Sequence, residues 1–228
     1  DGIEKLFAWL PAASGKYADA WRENGPTSWD NGSSVRKKYF SFAIANLIRV
    51  FGEKWQESWA EITRTRLKHW SFNTVGNWSS LEFAEWSQLP YVLPLQGFPG
   101  TKKKVFRDFP DVFAEEYASN AKEFANQLVG LEQDRNLIGY FLCNEPQWAF
   151  VDGINLAVEL LGSEEQFASR EALIQFLSEK YDGDVTRLNA MWHLHLSEFT
   201  DLRRPIAREC LKSGQAAADL EEFSRIMI

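Results

Sequence analysis

Asn144 and Glu145 are the residues whose types and setting best suit chemistry. They follow the run Leu137-Ile138-Gly139-Tyr140-Phe141-Leu142-Cys143 and are followed at once by Pro146. Seven mostly apolar, β-favouring residues in succession describe a parallel strand buried on both faces. Pro146 cannot donate to a ladder and should close the strand. An amide and a carboxyl group are thereby predicted at the C-terminal lip of a buried parallel strand. That lip is where catalytic groups sit in a (β/α) barrel. A carboxyl group there is half of the apparatus for breaking a glycosidic bond, which needs two.

Successive strand residues alternate faces, so Phe141, Cys143 and Glu145 should share one side. Glu145 would then face the mouth of a barrel above an apolar floor. Asn77-Trp78 is expected at the end of an earlier strand, as a polar contact and a stacking wall or else as a turn residue and a packed indole. Trp148, just past Pro146, carries the same two readings. His193 and His195 lie two apart after a helical run, and no third ligand has suitable spacing, so no metal is expected. Cofactor motifs are absent: there is no Gly-rich phosphate loop and no Gly-x-Ser-x-Gly elbow. Cys143 and Cys210 match no zinc or redox spacing and leave the compartment open.

Alternating patterns supply the elements that would position these groups. A helix is predicted over 38–51, with Tyr39, Phe42, Ala43, Leu47 and Val50 on one face and Gly52 at its end. A second runs to about Trp70. Phe72 to Gly76 reads as a short strand, and Ser79 with Glu82 as a capping box for the next helix. Tyr91 to Leu95 reads as a strand and Gly97 to Lys104 as a loop. Pro110 should open a long helix with Phe113, Tyr117, Ala121, Phe124, Leu128 and Leu131 along one face. Ser163 with Gln166 suggests a further box, ahead of a helix carrying Phe167, Ile174, Leu177 and Tyr181. A shorter helix holds Leu188, Met191 and Trp192, and a last one begins near Gln215. Residues 1–36 read as irregular, with turn signals at Gly25-Pro26, Asn31-Gly32 and Ser33-Ser34.

Strand and helix alternate through residue 145, the pattern of a parallel α/β sheet. Three motifs in order then resemble known proteins. Phe72-Asn73-Thr74-Val75 is similar to the second strand of clan A glycoside hydrolases. The Leu137–Glu145 segment resembles their fourth, which ends in Asn-Glu. Phe176-Leu177-Ser178-Glu179-Lys180-Tyr181 followed by Leu188-Asn189-Ala190-Met191-Trp192 resembles an insert of family 42 β-galactosidases and agarase-like proteins. The resemblance spans roughly residues 70–195. It departs at Cys143, where agarase-like members often carry Asp, and at His193, where Gly is usual.

The resemblance implies an α/β fold: a (β/α)8 TIM-barrel segment holding apparent strands two to four with helical insertions, an incomplete barrel. Within 1–228 it implies an irregular or helical stretch over 1–52, β/α units over 53–145 and a helical insertion with a following helix over 146–228. It makes Glu145 the general acid/base and Asn144 a ligand of the sugar 2-hydroxyl. The chain would be a segment of a retaining glycoside hydrolase cleaving β-linked, galactose-type glycans, inactive alone and partnered by the remaining half of the barrel, which carries the nucleophile. The alternatives are a carbohydrate-binding pseudoenzyme of the same fold and a non-glycosidase α/β protein.

Composition narrows the partners. Among 228 residues, 25 Lys and Arg face 32 Asp and Glu, a net charge of −7. That balance argues against nucleic acid, whose phosphates require a basic surface. Lys102-Lys103-Lys104 reads as a solvated loop tip. No apolar stretch is long enough for a membrane span. Asp1 opens the chain without an initiator Met or signal-like regions, and Met227-Ile228 closes it without a helix terminator. The expectation is a piece cut from a longer protein at both ends.

Overall fold

The computed structural model describes residues 7–24 and 37–228. The turn signals expected between 25 and 34 lie outside the described residues. The chain divides into two compact units: residues 1–75 with 79–90, and residues 76–78 with 91–228. The fold is mixed α/β, with eight α-helices and three two-stranded sheets among the described residues.

In the first unit β1 (Trp21–Asn24) pairs antiparallel with β2 (Lys37–Phe40), so part of the expected irregular stretch is a paired strand. Helix α1 (Phe42–Phe51) starts where Ser41 Oγ accepts the Ile44 N–H at 3.3 Å. It stops at Gly52, whose φ of 65° suits glycine. Its buried residue is Ile48, backed by Ile44, Ala45 and Phe51; Phe42 and Val50, expected on the inner face, are exposed. Helix α2 (Trp55–His69) buries Trp55 and Ala60. Phe72 to Gly76 forms no strand. Only Val75 bridges, its N–H donating to Pro90 O at 2.8 Å. Helix α3 (Leu81–Ser87) is capped by Ser80, one residue later than the predicted box, with Oγ accepting from Phe83 N at 3.2 Å.

The second unit holds the expected parallel pair. β3 (Tyr91–Pro94) runs parallel to a strand at Leu137–Phe141, with Val92 opposite Gly139 and Pro94 opposite Phe141. Between them the sequence reading changes. Lys104–Phe106 (β4) and Phe109–Pro110 (β5) form a tight antiparallel hairpin, so Pro110 ends a strand instead of opening a helix. Helix α4 therefore starts later, at Glu115, and runs to Ala125; none of its residues is fully buried. Lys103 of the basic run is anchored, its ammonium donating to Gln166 O at 2.7 Å. The Leu137–Phe141 strand is β6.

After β6 come α5 (Leu156–Gly162), α6 (Ala168–Lys180), α7 (Val185–Trp192) and α8 (Gly214–Met227). They enclose one core with Val105 and Phe109 of the hairpin. Phe167, Ile174, Leu177 and Tyr181 are all buried, as the helical period requires. Met191 is the exception to the α7 expectation and is exposed. Ser163 does not cap α6. It ends α5, and Asp111 reaches across to α6 instead. The Asp111 carboxylate accepts from Ala168 N at 2.7 Å and Ser169 N at 2.8 Å, two of the donors that a helix start leaves open. Arg170, fully buried, donates to the carbonyls of Leu160, Ser163 and Arg203, which ties the end of α5 to a later segment. Burial pushes the Arg170 guanidinium below its ordinary range, against the opposing charge of Glu171.

Candidate active site

The segment beyond β6 is met by the Arg107-Asp108 turn. The strand itself stops at Phe141, two residues before the predicted limit. Its faces are unequal. Ile138, Tyr140 and Leu142 are 58%, 46% and 53% exposed, while Leu137, Gly139, Phe141 and Cys143 are half-buried. Burial on both faces, which the apolar run suggested, is thus not found among the described residues.

Asn144 forms a bend and Glu145 follows it, both exposed. They lie beyond the C-terminal end of a parallel strand, as the sequence reading placed them. Glu145 has φ of 46°, a left-handed conformation, and precedes Pro146. A residue before proline is ordinarily pushed to extended backbone, so this geometry is doubly uncommon. Trp78 is also left-handed, at φ 67°. Its indole is 69% exposed and meets the Phe141 ring edge-on, with centroids 5.7 Å apart and planes at 82°. The structure therefore brings Trp78 to the strand that carries Asn144-Glu145. Beside it, Asn77 keeps its side-chain oxygen buried, with no hydrogen-bond partner among the described residues.

Trp148 is half-buried. Its ring stands edge-on to Phe109 at 5.2 Å and 88°, packed against the helical core. Its backbone is held from the hairpin. Asp108 sits at the β4–β5 turn and spends one carboxylate oxygen on each of two amides: Gln147 N at 2.9 Å and Trp148 N at 2.9 Å. Arg107, its neighbour, donates to Gln147 O at 3.0 Å. The sequence reading missed both residues, because a loop with no Gly or Asn at its turn carries no hairpin signal. Burial raises the Cys143 thiol above its ordinary value, and the Asp108 charge adds to this, so Asp108 is also felt at the strand end.

The family-like motifs of α6 and α7 are placed differently. Tyr181 donates to Asp219 at 2.5 Å, and the Trp192 indole donates to the same oxygen at 2.8 Å. Asn189 holds Leu196 through both of its amide groups. These residues build the helical core. His193 terminates α7 in a left-handed conformation, and His195 is exposed. Among the described residues no three His, Cys, Asp or Glu side chains gather as metal ligands, and no helix is long and apolar enough to cross a membrane.

No family model matches the chain. Beta-agarase B of Vibrio sp. (strain JT0107) is 24% identical over 239 residues, covering 97% of this chain and 24% of that protein. Beta-agarase A of the same strain is 27% identical over 172 residues, covering 67% of this chain and 17% of that protein. Among solved structures, PfGH50B superposes with a TM-score of 0.76 at 23% identity, covering 97% of this chain and 33% of its own. An exo-beta-agarase gives a TM-score of 0.74 at 23% identity, with 97% and 31% covered. The chain thus shares its fold with part of these structures and spans about a quarter or less of the curated relatives it matches.

Proposed function

We propose that this chain is the part of a retaining glycoside hydrolase that carries the acid/base carboxyl group, in a protein acting on β-linked, galactose-type glycans of the agar kind. The supporting observation is the position of Asn144-Glu145 beyond the C-terminal end of β6, in a parallel pair, with an exposed indole beside the strand. In barrels built of parallel strands, that end carries the catalysis. The agarase relatives support the glycan class. On this reading β3 and β6 are the third and fourth strands of a (β/α)8 barrel. The remaining strands, on the same or a separate chain, bring the nucleophile.

Glu145 protonates the glycosidic oxygen as the bond to the anomeric carbon breaks. The partner carboxylate attacks that carbon and forms a glycosyl ester. Glu145 then takes a proton from the water that displaces the ester, and configuration is retained. Asn144 holds the 2-hydroxyl, Asn77 supplies a polar contact, and Trp78 offers an apolar face to a ring.

Glu145→Gln in the whole parent protein tests this. Turnover of unactivated glycan should fall about 10²- to 10⁴-fold, the share that general acid catalysis supplies. Aryl glycosides with good leaving groups should lose less at the glycosylation step, and sugar binding should persist. Unchanged turnover of agar-type glycan by this variant overturns the assignment. A wild-type parent that binds the glycan without cleaving it would identify the pseudoenzyme.

A further inference from the structure

The β4–β5 turn is an unusual piece of backbone with an unusual job. Phe106 pairs with Phe109, leaving Arg107 and Asp108 as the two central residues. Arg107 has φ of 48° and Asp108 does not share it, the φ pattern of a type II′ turn, whose first central position favours Gly. An arginine there is strained, and such strain is kept where surrounding contacts impose it. What the turn holds is the segment following Glu145. Asp108 takes the N–H groups of Gln147 and Trp148, and Arg107 takes the carbonyl of Gln147. Phe109, next in the hairpin, receives the Trp148 ring.

Between that anchored point and Glu145 lies only Pro146. Its ring locks φ, here −62°, and its ψ is 137°. Peptide planes are rigid. Few torsions therefore remain between the anchored Gln147 amide and the Glu145 Cα. The left-handed, pre-proline conformation of Glu145 is one that an isolated chain avoids, so the fold must impose it. The hairpin turn supplies that imposition on the C-terminal side, and β6 supplies it on the N-terminal side.

We propose that Asp108, assisted by Arg107, is a positioning residue for Glu145: it sets the direction of the acid/base carboxyl by clamping the backbone two residues beyond it. The proposal rests on the reading of Glu145 as the acid. Asp108 acts through the backbone and has no contact with substrate to make. Its loss therefore alters proton donation while leaving sugar contacts in place.

The experiment uses the whole parent protein with Asp108→Ala, Asp108→Asn, Arg107→Gly and Glu145→Gln side by side, on agarose and on an activated aryl β-galactoside. Asp108→Ala should lower kcat on agarose about 10- to 100-fold, the scale of an ångström-sized misplacement of a catalytic group. KM should move less than about twofold, because binding groups stay in place. Loss on the aryl substrate at glycosylation should be smaller, the leaving-group signature that Glu145→Gln also gives. Asp108→Asn keeps one acceptor oxygen and should recover part of the rate. Amide hydrogen exchange at Gln147 and Trp148 should accelerate in Asp108→Ala. Arg107→Gly removes the guanidinium contact while relieving the left-handed turn, so it should lower kcat without lowering the melting temperature. A merely structural role predicts the two falling together. This variant also keeps the test decisive if Asp108→Ala folds poorly. Unchanged kcat in Asp108→Ala and Arg107→Gly, with Glu145→Gln inactive, overturns the positioning role and leaves Glu145 as the acid. Equal losses on both substrates overturn it as well. A fully active Glu145→Gln removes both readings together.

Discussion

The Tyr181 hydroxyl donates to Asp219 across 2.5 Å, at the end of α6 and in the middle of α8. Asp219 is fully buried, yet it is well supplied. Trp192 reaches it from α7 at 2.8 Å, Gln215 from the preceding turn of α8 at 2.7 Å, and the Lys180 ammonium at 2.9 Å. One carboxylate thus joins three helices. A buried charge is tolerated only when paired and fully hydrogen-bonded, and this one is both.

Asp219→Ala should therefore cost about 3–5 kcal/mol, the range for removing one member of a buried charged network. Tyr181 and Trp192 would keep buried donors without an acceptor. Trp192→Phe deletes one donor and leaves the carboxylate three partners, so it should cost about 1–3 kcal/mol. Urea unfolding followed by far-ultraviolet dichroism checks the order. Equal costs would mean that packing, not the carboxylate, joins the helices.

The same cluster sets a pH window. Burial pushes the Asp219 carboxyl up, but the hydrogen bonds from Tyr181, Trp192, Gln215 and Lys180 outweigh it and hold it below the ordinary 3.8. Its contribution to stability is present above 3.8 and is lost as pH falls through the lower folded value. Tyr181 behaves oppositely. Burial, then the hydrogen bond and charge of Asp219, raise its hydroxyl from 10.0 to about 12. That contribution is complete below 10.0 and is lost as pH climbs toward about 12. The contribution of this cluster should hold a plateau between these limits and fall on both sides. Tyr181→Phe should remove the alkaline loss between pH 10 and 12 that belongs to this hydroxyl, measured as the change in urea midpoint across that range.

These observations also show what the chain made legible. The α6 face was readable because Phe167, Ile174, Leu177 and Tyr181 fall at helical spacing and are all buried. The Leu137–Phe141 strand was readable from its β-favouring run and Pro146. Asp219 was not. An acidic residue on a helix looks solvated until three donors from distant positions converge on it. The Arg107-Asp108 turn was hidden because its left-handed residue is an arginine. Phe72 to Val75 misled for a further reason. Strand formation depends on a neighbour to pair with, and only Val75 finds one. The exposed side of β6 misled likewise, since Ile138, Tyr140 and Leu142 look like core until the packing is known.

Trp78 offers the sharpest separation of binding from stability. Its ring is largely exposed and touches Phe141 by an edge, so truncation removes little buried surface. Its backbone is left-handed at φ 67°, which costs an L-residue about 1–2 kcal/mol and glycine almost nothing. Trp78→Ala and Trp78→Gly should therefore weaken glycan binding to the same extent, because both lose the indole face. Their stabilities should diverge, with the glycine variant higher by about 1 kcal/mol, reduced somewhat by its freer unfolded chain. Titration with agar-derived oligosaccharide and thermal melting of the whole parent protein measure the two quantities separately. If binding survives both substitutions, Trp78 is a turn residue packed on Phe141 and not a sugar platform. If the alanine variant is the more stable, the left-handed turn is held by contacts stronger than its strain.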